Sequence, residues 1–201
     1  HSPAIQESQM QRKANQDRWE RAFDRAAAVR RNFRPDYSQL AAVKAFHEKM
    51  QAEEIDGELF YANSSAVRLG NIFSNQYLYV NRGVNGIEGT LSTAVGYALA
   101  RQDEEDVYCV IGDLNALWNE QLPPNLSILL LNNGGGGIFR QLPGLERSPY
   151  RDSAIAAGHT ASAEGICQAY GLVYLSARNG QELSRALDSF FHAEEGPVLL
   201  E

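Results

Sequence analysis

Two short apolar runs in this chain end in oxygen-bearing residues. Val107-Tyr-Cys-Val-Ile-Gly-Asp113 closes on a glycine and a carboxylate, and a second run ends Leu131-Asn-Asn-Gly-Gly-Gly-Gly137. Each reads as a buried parallel strand, and in an open α/β sheet ligands bind beyond the carboxyl ends of the strands. One carboxylate, one or two side-chain amides and a flexible backbone make a hard-cation site with open positions. Mg²⁺ rarely receives a full protein cage, so water and phosphate oxygens complete its shell. The first expectation is a metal-diphosphate anchor.

Other phosphate sites fit less well. A dinucleotide-binding fold would open a helix with Gly-x-Gly-x-x-Gly, and a P-loop would carry Gly-Lys-Ser/Thr. Neither spacing occurs in the required context. Asp113 as an aspartyl-phosphate nucleophile lacks a supporting second acid nearby. Asp113 as a plain helix cap is the bland alternative; the matching amides of Asn132 and Asn133 at the next strand end turn the reading toward a ligand.

The elements that must position these residues follow from periodicity. Residues 1 to about 35 are polar and helical in pattern, with Trp19, Phe23 and Ala27 four apart, and read as a linker helix entering from an earlier domain until Pro35 breaks it. A second helix spans about Tyr37–Glu54, with Leu40, Val43, Phe46 and Met50 on one face. Beyond Gly57, strands are expected at Glu58–Ala62, Tyr77–Val80, Asp106–Gly112, Leu126–Leu131, Leu172–Leu175 and Pro197–Glu201. Helices are expected at Ser64–Phe73, Gly86–Arg101, Asn115–Leu122, Ser162–Tyr170 and Gln181–His192. Alternation of this kind implies a three-layer α/β sandwich on a mostly parallel sheet, with residues 1–54 as lead-in and 55–201 as the binding domain.

The crossover after Asp113 is short. The strand Asp106–Gly112 extends about 23 Å at ~3.3 Å per residue. Its return helix covers only about 12 Å at ~1.5 Å per residue. Either residues have been deleted, or a segment has been closed over in the numbering; the second is the favoured expectation.

The 201-residue length accommodates one domain with a full core. The formal charge of −7 argues against a nucleic-acid surface, because the basic residues from Arg12 to Arg31 are interrupted by acids. No apolar stretch approaches the ~20 residues that span a bilayer, and no signal peptide is evident. Cys109 and Cys167 have no metal-ligand spacing and read as buried free thiols, as suits a cytoplasmic protein.

The blocks Ala62-Asn-Ser-Ser-Ala-Val-Arg68, Val80-Asn-Arg-Gly-Val-Asn-Gly-Ile-Glu-Gly89 and Asn132-Asn-Gly-Gly-Gly-Gly-Ile-Phe139, together with Gly112-Asp113-Leu114, resemble one family. It is the family of 2-succinyl-5-enolpyruvyl-6-hydroxy-3-cyclohexene-1-carboxylate (SEPHCHC) synthases of menaquinone biosynthesis, the MenD family. The resemblance covers roughly residues 55–201, the C-terminal thiamine-diphosphate-binding domain of such enzymes. The Gly-Asp through Asn-Asn pattern is shared by thiamine enzymes generally; the Asn-Arg-Gly-x-x-Gly-Ile block and the Gly-Gly-x-Ile-Phe ending discriminate further.

The resemblance implies thiamine diphosphate and Mg²⁺ as cofactors. Asp113 and Asn133 would ligate the ion through side-chain oxygens and Gly135 through its carbonyl, while Gly86, Ile87, Gly112, Leu114 and Ile138 would border the cofactor. Ile87 falls where such enzymes place a large aliphatic residue beneath it; ordinary core packing is the alternative. Ser64, Arg68 and Arg82 match positions that contact substrate carboxylates, which suits two dicarboxylates, 2-oxoglutarate and isochorismate. Ile138, Phe139 and Leu142 would line an apolar wall near the reacting carbon. His159 reads as a surface or capping residue, with the site rim as the lesser alternative.

The implied activity is that of a transferase joining decarboxylated 2-oxoglutarate to isochorismate. The glutamate that activates the cofactor is expected on the pyrimidine-binding domain of a partner subunit, so this chain reads as a catalytically incomplete domain of a homodimer or homotetramer. Other readings are the same domain of an acetolactate-synthase-like enzyme or oxoacid decarboxylase, or a non-catalytic ligand-binding module. Glu88 stands where relatives often carry Asp. The segment after Leu114 is shorter than the family's by about six or seven residues, roughly two helical turns; a true deletion would remove diphosphate contacts.

Overall fold

Strands buried on both faces need apolar residues at every position rather than at alternate ones. The central pair here has that composition: β3 (Val107–Gly112) and β4 (Leu126–Leu131) are buried along almost their whole length. The computed structural model describes residues 3–83, 86–102, 105–115, 122–193 and 196–201. In it these strands run parallel in unbroken register, from Val107 opposite Leu126 to Gly112 opposite Leu131. They lie inside a six-stranded sheet with β1 (Glu58–Tyr61), β2 (Leu78–Tyr79), β5 (Val173–Leu175) and β6 (Val198–Leu200), in the order β2-β1-β3-β4-β6-β5. Every pairing is parallel.

Residue alternation shows how the two faces are covered. Tyr108 packs on Phe46 of α2 (Gln39–Ala52) and on Phe190 and Phe191 of α6 (Gly180–Phe191). Phe60 lies opposite Cys109, one step along the pleat from Tyr108, and instead stacks on Tyr79 and packs tilted against Tyr97 of α4 (Thr90–Ala100). Successive residues of a strand face opposite ways, so α2 and α6 cover one side of the sheet and α4 the other. The α/β three-layer architecture is the one expected.

Helix boundaries follow local chemistry. The Asn179 side chain accepts the N–H groups of Gln181 and Glu182 to start α6, whose Leu183, Ala186, Leu187 and Phe190 face the core at helical spacing. Ser38 caps α2 by accepting from Ala41. The helices α3 (Ser65–Phe73) and α5 (Glu164–Tyr170) complete the layers. Separately, α1 (Pro3–Asn32) is a single helix with Trp19 and Phe23 exposed, ending before Pro35. Contacts divide the chain into His1–Pro35 and Asp36–Glu201, so α2 packs with the sheet through Val43, Phe46 and Met50.

Two expected elements are revised. The helix expected from Gly86 begins only at Thr90, because Gly89 adopts a left-handed φ of 82° that a helix cannot continue through. The strand expected over Tyr77–Val80 contracts to an edge pair, Leu78–Tyr79. Asn115 belongs to a 3-10 turn, Asp113–Asn115, and most of the helix expected over Asn115–Leu122 lies outside the described residues. β3 and β4 are neighbours in the sheet, with Val107 N–H donating to the Asn125 carbonyl at 2.9 Å.

Candidate functional site at the carboxyl edge of the sheet

Parallel pairing sends all six strands the same way, so everything that follows β2, β1, β3 and β4 gathers along one edge. Chain direction reverses between β1 and β3: β2 lies to one side of β1, and the path then crosses to β3 on the other. A crevice at such a reversal is the usual ligand position in open α/β sheets. The loop beyond β1 carries Ser64, with Arg68 in the first turn of α3; Arg82, Gly86 and Ile87 follow β2; Gly112, Asp113 and Leu114 end β3; Asn133, Gly135, Ile138, Phe139 and Leu142 follow β4.

The ends of β3 and β4 are joined directly. The Asp113 carboxylate is almost fully buried, with side-chain exposure of 7%. Its Oδ2 accepts the Gly135 N–H at 2.7 Å and lies 2.9 Å from His159 Nε2, while Oδ1 accepts the Leu114 N–H at 3.1 Å. A carboxylate offers about four lone-pair positions, so these contacts leave Oδ1 with acceptor capacity.

The two asparagines divide their roles. The Asn132 amide donates to the Ala161 carbonyl at 2.9 Å and to the Glu201 carboxylate, and its oxygen accepts the Gly134 N–H at 3.0 Å. It is a structural clamp. Asn133 is exposed, and its amide lies over Gly137, where an added Cβ would approach Nδ2 to 2.9 Å. Of the pair, Asn133 is the one whose side chain is available to a ligand.

The glycine run is built for close backbone approach. Gly134 and Gly135 have φ of 74° and 140°, and a Cβ at Gly135 would meet the Ala156 carbonyl at 2.7 Å. The loop is fastened to a later segment: Gly136 N–H donates to Ala156 O at 2.6 Å and His159 N–H to Gly134 O at 3.1 Å. That segment follows a π-helical turn, Arg151–Ile155, whose Asp152 pairs with Arg140 at 3.0 Å. Its arginine partners, Arg151 first and then Arg140, hold the Asp152 carboxyl below its ordinary range.

The remaining expected residues line the same edge more loosely. Ile87 is half-buried, in the irregular segment before α4. Asn63 Nδ2 donates to the Gly86 carbonyl at 3.0 Å, tying the loops beyond β1 and β2 together. Ser64 has φ of 71°, outside the region comfortable for a side-chain-bearing residue. Arg68 and Arg82 are exposed, Ile138 and Phe139 are half-buried in a 3-10 turn, and Leu142 is exposed. Contacts made by Asp113, Gly135 and His159 unite the β3 and β4 ends; among the contacts of the described residues, none joins the two arginines to that cluster.

The donor set suits a magnesium-bound diphosphate. Among the described residues no group of three His, Cys, Asp or Glu side chains could hold a metal, so an all-protein cage is absent there. One buried carboxylate, one exposed amide and a glycine carbonyl would leave a bound cation positions open to phosphate oxygens. The Gly135 carbonyl accepts the Gly137 N–H at 3.0 Å and keeps one lone pair. The starts of α3 and α4 at the same edge favour anionic charge.

The sequence favours a surface or capping role for His159 and offers the site rim as the lesser alternative. The residue does cap locally, accepting the Ala161 N–H at 3.1 Å on Nδ1, and it also reaches Asp113. The nearest sequence signal is the small-residue approach Ala156-Ala157-Gly158, where a Cβ added at Gly158 would meet the Asp152 carbonyl oxygen at 2.7 Å.

Comparison with known proteins is consistent with this geometry. Residues 63–201 match the family described as thiamine pyrophosphate enzyme, C-terminal TPP binding domain. A protein of Bacteroides thetaiotaomicron named 2-succinyl-5-enolpyruvyl-6-hydroxy-3-cyclohexene-1-carboxylate synthase is 43% identical over 176 residues, covering 82% of this chain and 31% of its own. The protein of the same name from Christiangramia forsetii is 36% identical over 174 residues, covering 82% of this chain and 29% of its own. The chain therefore spans about a third of the length of these curated relatives. The crystal structure of benzoylformate decarboxylase from Polynucleobacter necessarius superposes with a TM-score of 0.63 at 20% identity, over 84% of this chain and 33% of that one, and shares the fold.

Proposed function

Because this chain belongs to the thiamine pyrophosphate enzyme family, through its C-terminal TPP binding domain, we propose that it is the diphosphate-binding domain of a SEPHCHC synthase. That is the activity for which the curated relatives are named. The observation that carries the reading is the Asp113–Gly135 hydrogen bond, which brings the two oxygen-bearing strand ends into one cluster.

In this reading Asp113 and Asn133 hold Mg²⁺ through side-chain oxygens and Gly135 through its carbonyl. Gly86, Ile87, Gly112, Leu114 and Ile138 border thiamine diphosphate, which when bound supplies the electron sink for decarboxylative carbon–carbon bond formation. Half-buried Ile87 supports the cofactor from below. Ser64, Arg68 and Arg82 receive the carboxylates of 2-oxoglutarate and isochorismate, since guanidinium groups match carboxylates in charge and fork geometry. Ile138, Phe139 and Leu142 exclude water on the other side.

No residue of this chain is assigned as the activating acid. The chain acts with a pyrimidine-binding domain of a partner subunit, in a cytoplasmic homodimer or homotetramer. No described helix is long and apolar enough to cross a membrane.

Calorimetric titration with thiamine diphosphate, with and without Mg²⁺, tests the proposal. Metal-dependent binding is expected. Metal-independent binding or none would favour a non-catalytic module. The purified chain alone should show no carboligation; turnover without a pyrimidine-binding partner would overturn the incomplete-domain reading.

A further inference from the structure

We infer that His159 is a positioning residue for Asp113, fixing Oδ2 so that Oδ1 is the oxygen left for a divalent ion. The inference rests on the metal-diphosphate reading of this site and adds a residue to it.

The argument begins with the imidazole. Its Nδ1 accepts the backbone N–H of Ala161 at 3.1 Å. A neutral imidazole has one donor and one acceptor nitrogen, so an accepting Nδ1 leaves the proton on Nε2. That nitrogen lies 2.9 Å from Asp113 Oδ2. His159 therefore donates to the carboxylate through Nε2–H, in an arrangement set by its own backbone neighbour.

Oδ2 then carries two donors, His159 Nε2–H and the Gly135 N–H at 2.7 Å. Both of its lone pairs are engaged. Among the described residues, Oδ1 has only the Leu114 N–H, at 3.1 Å. The carboxylate is held in one orientation with one oxygen occupied and one partly open, which selects a monodentate grip on a cation.

The backbone of His159 reinforces the arrangement. Its N–H donates to Gly134 O at 3.1 Å, so the ring that orients Asp113 is anchored to the loop that supplies Gly135. Hydrogen-bonded partners of metal-ligating carboxylates orient the ligand, and their loss weakens metal affinity by about 10–100-fold.

Three substitutions separate positioning from bulk packing. His159→Gln places an amide N–H near the Nε2 position; His159→Asn reaches only the Nδ1 position; His159→Ala provides neither. The measurement is Mn²⁺ affinity of the 201-residue chain at saturating thiamine diphosphate, read from the spin-resonance signal of free Mn²⁺, with circular dichroism to verify folding. The expected result is His159→Gln within about threefold of wild type and the other two weaker by about 10–100-fold.

Nitrogen NMR of the metal-free wild type gives a second readout that needs no variant to fold, and the Nε2–H tautomer is expected. An Nδ1–H tautomer, or His159→Asn binding within about threefold of wild type, overturns the inference. If the wild type holds no Mn²⁺ with thiamine diphosphate, the cofactor reading fails and takes this one with it. Firm wild-type binding that all three variants retain removes the role of His159 alone.

Discussion

The Asp113 carboxylate accepts the backbone N–H of Gly135 at 2.7 Å, across a sequence separation of 22 residues and between the ends of two neighbouring strands. Because Gly135 has φ of 140° and no room for a Cβ beside the Ala156 carbonyl, the donor reaches Asp113 only while residue 135 is glycine. Gly135→Ala should therefore destabilise the chain by at least about 1–3 kcal/mol, the usual strain at such a conformation. It should also abolish Mg²⁺-dependent thiamine diphosphate binding. Urea unfolding and calorimetry measure the two effects; a variant as stable as wild type would refute the strain argument.

Asp113→Asn preserves shape and an acceptor oxygen but removes the charge that would hold the proposed cation. The metal-free fold should survive, with unfolding free energy changed by about 1 kcal/mol or less, since a carbonyl oxygen still accepts from Gly135. Mg²⁺-dependent cofactor binding should weaken by more than about tenfold, beyond the effect of losing an outer hydrogen bond. Equal affinity of variant and wild type in a titration would remove Asp113 from the metal site.

Arg68 and Arg82 should govern the choice between dicarboxylate and monocarboxylate substrates. In an enzyme reconstituted with a pyrimidine-binding partner, replacing either by Met should lower kcat/KM for 2-oxoglutarate by about 10-fold or more, the loss expected for one charge-assisted pair of about 1.5–3 kcal/mol. Turnover of pyruvate should change much less. Parallel losses on both substrates would point to folding rather than recognition.

Acid sensitivity should centre on Glu201. Burial pushes its carboxyl upward, but hydrogen bonds from Ser162, Tyr174, Asn132 and the Ala163 N–H outweigh it and hold the group below its ordinary value. A lowered folded-state value means the stabilisation is complete above the unfolded carboxyl's range and disappears as pH falls through the folded one. Melting temperature should drop on acidification in that window. Glu201→Gln should be less stable at neutral pH and lose less on acidification, since it has no such charge to neutralise. An unchanged acid profile in the variant would assign the transition elsewhere.

The two thiols should be inert in the folded chain. Burial raises Cys109 to about 12; burial first, and then the Glu201 charge, raises Cys167 to about 11. Both side chains are fully buried, and thiolate is the reactive form. An alkylating reagent at pH 8 should label neither until denaturant is added; rapid native labelling of Cys109 would contradict its place in the core.

What the sequence made legible depended on how locally each feature is encoded. The ends of β3 and β4 agree with expectation to about one residue, because an uninterrupted apolar run bounded by Asp106 and Gly112-Asp113 has no other stable placement in a two-sided sheet. The start of α4 was placed too early: Gly86 and Gly89 fall within reach of the helical pattern that begins at Leu91, and only the backbone reveals that Gly89 turns left-handed. The sequence favours a surface or capping role for His159 over the site rim; the bond from Ala161 fits the capping role, while the approach to Asp113 arises from folding the loop after β4 back upon itself. That contact is tertiary, and no spacing along the chain encodes it.

The sheet tapers at both sides, to two residues in β2 and three in β5. So brief a margin offers a visiting strand only a few backbone donors and acceptors, too few to template continued pairing. Copies of this domain should therefore resist joining into fibrils through their rims, and any stable pairing between them must be made by side chains.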